Sequence, residues 1–236
     1  MIIKKNLILL LLLPFLLISS ASSQIIKSVS VDFTRVVTKE ASEEVVKGNI
    51  YYQPSKGIVL KINEPIQQWM VLEQNTMLIY YQNERKAFRF KSENPFSLPF
   101  FQAFLGVDKD GFGLSEAGFK LFRNEMKGDT LFTYWKPPEQ ANKTLGNTIM
   151  GLEKDKLVLV EVQDTKGGEL AKTTFSNHFQ YGATFFPLEV VSIKYQENSS
   201  IVEKIVYANL QFNVTFPEEV VNFKIPADIE IREIEW

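Results

Sequence analysis

The chain has 236 residues, 45% of them hydrophobic, with 26 basic against 28 acidic side chains and a formal net charge of −2. Charges of both signs are interleaved, which excludes the clustered basic face of a nucleic-acid binder. There is no cysteine, so disulfides, cysteine–zinc sites and N-terminal lipidation on cysteine are excluded.

The chain opens with an export pattern. Lys4 and Lys5 precede the apolar run Leu7 to Ile18, too short for a membrane span, and Ser19 to Gln24 supplies the small residues of a cleavage site. Cleavage after Ala21 or Ser23 fits. Residues 1–23 are therefore expected to be a cleaved signal, and residues 24–236 one soluble periplasmic domain. An N-terminal anchor is the alternative, but no stop-transfer pattern follows the run.

Beyond the signal, period-two alternation broken by turn residues predicts antiparallel strands. Val29, Val31 and Phe33 alternate with Ser30, Asp32 and Thr34, and Val46 to Tyr52 continues the pattern. The turn Pro54-Ser55-Lys56-Gly57 leads to Ile58, Leu60 and Ile62 on one face, and Asn63-Glu64-Pro65 breaks that strand. Ile66 to Leu72 and Thr76 to Tyr81 follow, and then Phe88 and Phe90 alternate with Arg89 and Lys91.

The segment Pro95 to Gly106 carries no charge and holds Phe96, Leu98, Phe100, Phe101, Phe104 and Leu105. Pro95 and Pro99 make it a poor ladder strand, and Phe100 to Leu105 could form a short helix ended by Gly106. Gly111 to Gly118 has no clear period. Strands resume at Phe119 to Met126, Thr130 to Lys136, Thr148 to Glu153, Lys156 to Gln163 and Leu170 to Phe175. Lys127-Gly128-Asp129 and Asp164 to Gly168 read as hairpin turns. Leu188 to Gln196, Ile201 to Val206, Phe212 to Phe216 and Val220 to Ile225 are predicted as the last strands.

About a dozen strands in one domain imply a barrel or a deeply curved sheet, with one face of each strand looking inward. Those inward faces either fill a solid core or line an apolar cavity; periodicity alone does not separate the two.

Catalytic sets are sparse. His178 is the one histidine, and without cysteine the usual nucleophile–base pairs are missing. Asp108-Lys109-Asp110-Gly111 has its glycine two places early for a calcium loop and lacks the closing glutamate. Asn142-Lys143-Thr144, Asn198-Ser199-Ser200 and Asn213-Val214-Thr215 fit the glycosylation tripeptide, which arises often by chance. No enzymatic activity, metal or cofactor is expected.

Several stretches together resemble the LolA family of periplasmic lipoprotein carriers and its lipoprotein-localisation relatives. Ile26 to Thr34 is similar to the family's first strand, and Gly48 to Pro54 to the strand that follows. The apolar Pro95–Gly106 segment sits where the family has a lid helix. Asp164 to Gly168 with Thr174 to Asn177 is similar to its late hairpin, and Phe223-Lys224-Ile225-Pro226 to its closing strand.

The resemblance implies a mainly β, single-domain, unclosed antiparallel barrel: a strongly curved sheet of about 11–12 strands under short lid helices. It also implies an apolar cavity, formed here by Phe33, Ile50, Leu60, Trp69, Phe88, Phe90 and Trp135. Phe96, Leu98, Phe100, Phe101, Phe104 and Leu105 would supply the lid. Acylated lipoproteins or lipids would be the cargo, an inner-membrane transporter and an outer-membrane receptor the partners, and a monomer the working state. Two departures stand out: cleavage leaves little room for the family's helix before the first strand, and Gln53 replaces the arginine that helps latch the lid. A lipid- or lipoprotein-sensing module on the same scaffold, signalling to a membrane partner, is the alternative.

Overall fold

The computed structural model describes residues 25–73, 76–91 and 110–235. The export segment 1–23 and the Phe96–Leu105 segment lie outside the described residues. Among the described residues no helix is long and apolar enough to cross a membrane.

Among the described residues fourteen strands form one sheet. They are β1 (Val29–Lys39), β2 (Ser42–Gln53), β3 (Gly57–Glu64), β4 (Gln68–Glu73), β5 (Thr76–Tyr81), β6 (Lys86–Lys91) and β7 (Lys120–Lys127). The second half of the chain adds β8 (Thr130–Lys136), β9 (Thr148–Glu153), β10 (Lys156–Gln163), β11 (Glu169–Tyr181), β12 (Thr184–Gln196), β13 (Ser199–Phe212) and β14 (Ile231–Glu235). The strand order is β14-β6-β5-β4-β3-β2-β1-β13-β12-β11-β10-β9-β8-β7. Two antiparallel meanders, β1–β6 and β7–β13, are thus joined along β1 and β13, and the sheet does not close, since β14 and β7 stand at its two ends. The expected single-domain, unclosed β architecture is present, with fourteen strands rather than about 11–12.

Predicted strands that match to within a residue or two at each end include Ile58–Ile62, Ile66–Leu72, Thr76–Tyr81, Phe119–Met126, Thr130–Lys136, Thr148–Glu153 and Lys156–Gln163. The 163–169 turn closes as its sequence suggests. The Asp164 carboxylate accepts the backbone N–H of Gly168 and of Lys166, each at 2.7 Å. Those two bonds hold its carboxyl below the usual carboxylate range.

Other predicted boundaries are corrected. β11, β12 and β13 run 13, 13 and 14 residues, well past Phe175, before Leu188 and past Val206. Asn177 and Asn209, beyond the predicted ends at Phe175 and Val206, sit inside the ladders in the left-handed region at φ 54° and 52°. Around Asn209 the β1–β13 register slips, so an asparagine bulge lets the strand bend and continue. Gly48 also reflects a close approach. A Cβ there would run into the Lys61 carbonyl oxygen and lie 3.0 Å from the Phe33 ring, at a register shift between β2 and β3.

Phe212–Phe216 and Val220–Ile225 are not strands. Phe212 ends β13, Glu218–Val221 is a short helix, and residues 223–226 are irregular, so the stretch likened to a closing strand is not one. Phe216, Val220, Phe223, Ile225, Ile229 and Ile231 instead form a strap over the outer side of β2–β6. The alternation of that stretch comes from packing against the sheet, not from pairing within it. The strap ends in β14, which pairs parallel with β6, the one parallel pair in the sheet and a strand that the sequence pattern does not show.

Candidate functional site

Register fixes which side chains share a face. Val31 lies opposite Ile50, Ile50 opposite Leu60, Leu60 opposite Met70, Met70 opposite Ile79, and Ile79 opposite Phe88. One apolar row therefore crosses β1 to β6. Across the other meander Ile205 faces Val190, Val190 faces Phe175, and Val160 faces Met150. All of these residues except Phe88 belong to one packed cluster that also holds Val29, Phe33, Trp135, Leu157, Phe186 and Tyr207. That face is the inner face.

The polar groups of the inner face are satisfied internally. Arg35 Nε donates to Glu203 Oε1 at 2.5 Å, the Thr173 and Ser192 hydroxyls are 3.0 Å apart, and Trp135 Nε1 donates to Thr133 Oγ1 at 2.9 Å. Among the described residues no buried side-chain nitrogen or oxygen lacks a partner. Burial, with the Glu203 carboxylate beside it, pushes the Tyr207 phenol far above its usual range, so it stays neutral. What this face offers is hydrocarbon.

The structure brings Phe33, Ile50, Leu60, Phe90 and Trp135 together in or against the inner cluster. Phe88 shares that face by register and sets its ring edge-on to Tyr81 at 6.0 Å. Trp135 packs beneath Gly111, whose φ of 60° and lack of a Cβ admit the indole. Trp69 is elsewhere. One residue out of phase with Met70, it points to the outer face, stacked on Phe223 at 4.6 Å with Lys61 Nζ 5.3 Å from its ring centroid. Gln53 ends β2, half-buried at the turn where its carbonyl accepts the Lys56 N–H at 2.9 Å. The lid residues Phe96, Leu98, Phe100, Phe101, Phe104 and Leu105 lie outside the described residues.

The sequence reading passed over Phe175, Phe186, Val190 and Tyr207. The signal was present as Phe186, Leu188 and Val190 in alternation, but Pro187 between them reads as a breaker. In the fold Pro187 is fully buried within β12.

His178 has its Nε2 2.9 Å from the Leu157 carbonyl oxygen and donates to it in the Nε2–H tautomer. Burial holds its pKa below the usual 6.5, partly offset by that carbonyl. The neutral ring is the folded form, so its contribution is present above the unfolded value and lost as pH falls through the lowered folded one. Stability is expected to drop on acidification below about 6.5, and His178→Gln should flatten that limb of a denaturation-versus-pH curve; an unchanged limb contradicts this placement.

No family model and no curated protein matches the sequence. Solved structures do match in fold. A LolA superfamily protein from Nitrosomonas europaea aligns with a TM-score of 0.57 at 12% identity, over 85% of this chain and 93% of that one. A domain described as outer membrane lipoprotein-sorting, from Vibrio parahaemolyticus, gives 0.59 at 12% identity, over 83% and 89%. A DUF1329 family protein from Desulfovibrio piger gives 0.59 at 12%, over 84% and 90%. A largely antiparallel, unclosed sheet, superposing over nearly the whole of these structures, gives the protein the fold that the LolA superfamily protein and the lipoprotein-sorting domain share.

Proposed function

We propose that the protein is a non-enzymatic periplasmic carrier that shields acyl chains of lipoproteins or related lipids against its inner face. On this reading it moves them from the inner to the outer membrane. The observation that supports this reading is the continuous apolar face of an unclosed sheet, whose buried polar groups are already paired. Transfer of acyl chain out of water is worth about 0.8 kcal/mol per methylene, so a ~16-carbon chain approaches roughly 12 kcal/mol before costs. A carrier must offer comparable apolar surface. The described inner-face site is Phe33, Ile50, Leu60, Phe88, Phe90 and Trp135. The similarity to a domain described as lipoprotein-sorting favours the same class of cargo.

Residues 92–119 join β6 to β7, which lie near opposite ends of the strand order. We assign the lid to Phe96–Leu105 within that connection, with Gln53 as its latch. Phe100→Ala with Phe101→Ala should then cost much less than the 3–5 kcal/mol of a buried ring, while acyl uptake changes; a large stability loss with uptake unchanged returns both rings to the core. On the same reading the signal is cleaved after Ala21 or Ser23, residues 24–236 act as a monomer, and an inner-membrane transporter and outer-membrane receptor are the partners.

Organic extraction and mass spectrometry of protein purified from its own compartment test the assignment. Acyl-bearing lipid or lipoprotein in stoichiometric amount is expected. A folded protein that yields none, and takes up none when offered it, contradicts the proposal.

A further inference from the structure

A second site lies on the outer face. The strap and β14 are held there by three ion pairs, Lys61–Glu219, Arg85–Asp228 and Arg89–Glu233, each with its base on the β3–β6 side and its acid on the C-terminal side. Between the first two pairs the strap does not close on the sheet. A cleft of about 530 Å³ remains between residues 61–82 and residues 219–226, within the size range of small-molecule sites.

Its lining is unlike the inner face. Gln67, Gln82 and Asn222 border it, while Gln68, in phase with Met70, turns its side chain to the inner face. Among the described residues none of these three carboxamides has a side-chain hydrogen bond to protein, whereas Asn63 beside them donates to Asn49 at 3.0 Å. Each free carboxamide presents two donors and an acceptor. A ligand satisfying three of them must alternate donors and acceptors around a compact body.

The other features of the cleft narrow the class. Lys61 is neutralised by Glu219 at 2.7 Å, which leaves Lys224 as the cation without an ion pair among the described lining residues. One such charge suits one acidic group and not a run of phosphates. Trp69, stacked on Phe223 with Lys61 Nζ 5.3 Å from its centroid, and Tyr80 are both buried, so neither ring offers an open face for a base to stack on. β3, β4 and β5 are each paired on both sides, so no strand edge is open to an extended peptide. Hydroxyls on a short ring-built chain meet all of these conditions.

We propose that the outer cleft binds a short saccharide, neutral or carrying a single acidic group, independently of any cargo on the inner face. The test is an array of neutral and acidic oligosaccharides probed with the full-length mature protein, followed by NMR titration with the best binder. Expected are shifts of the Gln67, Gln82 and Asn222 side-chain amides. Gln82→Ala with Asn222→Ala should weaken binding at least tenfold, and Lys224→Gln should erase any preference for acidic over neutral glycans. These positions are exposed, so circular dichroism should show the variants folded. No binding across the array overturns the proposal. So does binding that the variants leave unchanged, or amide shifts produced by inorganic phosphate or an extended peptide in place of a saccharide.

Discussion

Phe186→Ala is expected to lower the unfolding free energy by about 3–5 kcal/mol, read by denaturant titration. The ring is 1% exposed and meets the Tyr207 ring edge-on at 5.4 Å. It belongs to β12, and Tyr207 to β13, the strand that joins the two meanders through β1. Truncation leaves a cavity that the long paired strands on either side cannot collapse to fill, so the cost falls at the high end of large-to-small changes. Acyl uptake by the surviving folded fraction should persist. A loss below about 1 kcal/mol, the average for point changes of any kind, contradicts this placement of the ring.

Trp69→Ala should cost a similar amount, about 3–5 kcal/mol, but for a different part of the molecule. The indole is 7% exposed, stacked on Phe223 at an interplanar angle of 18°, and forms the centre of the outer cluster with Tyr51, Tyr80, Ala87, Val220 and Ile229. The three ion pairs that accompany it involve partly exposed groups, and such pairs contribute at most about 1 kcal/mol each. Ring burial therefore holds the strap. Hydrogen exchange should quicken across residues 216–231 in the variant. Trp69→Phe, which keeps a stacking ring, should remain folded and take up acyl chains as the parent does. Loss of uptake in folded Trp69→Phe would put this residue back on the cargo side.

Trp69 also shows where sequence reading reaches its limit. Trp69 to Leu72 is apolar throughout, because β4 is covered on both faces, by the inner cluster through Met70 and Leu72 and by the strap through Trp69. With no polar residue inside that run, and with Gln67 and Gln68 adjacent before it and so on opposite faces, period-two logic cannot assign Trp69. Leu60 and Ile50 were assignable because Lys61 and Asn49 mark the alternate face. Turn chemistry was legible at Pro54–Gly57 and Asp164–Gly168, where proline, glycine and a side-chain acceptor set the backbone locally. The same residue types stand inside long strands at Asn177, Pro187 and Asn209, past the predicted limits at Phe175, Leu188 and Val206. The C-terminal strap was invisible for a deeper reason. Its apolar spacing answers to the outer surface of another part of the sheet, and β14 pairs parallel with β6, about 140 residues earlier in the chain. The inner-face band was partly legible through its phenylalanines, while the contribution of β10 to β13, largely aliphatic and broken by Thr173 and Ser192, was not.

The central claim is that acyl chain occupies the inner face. The most direct measurement is quenching of single-tryptophan variants by a bromine-labelled ~16-carbon fatty acid, a chain length that carries roughly 12 kcal/mol of transfer energy before costs. One variant keeps Trp135, with Trp69→Phe and Trp236→Phe; the other keeps Trp69, with Trp135→Phe and Trp236→Phe. The account predicts saturable, stoichiometric quenching of Trp135, which lies in the inner cluster, and none of Trp69 behind the sheet. Folded protein in which neither is quenched, or in which Trp69 is quenched and Trp135 is not, contradicts it.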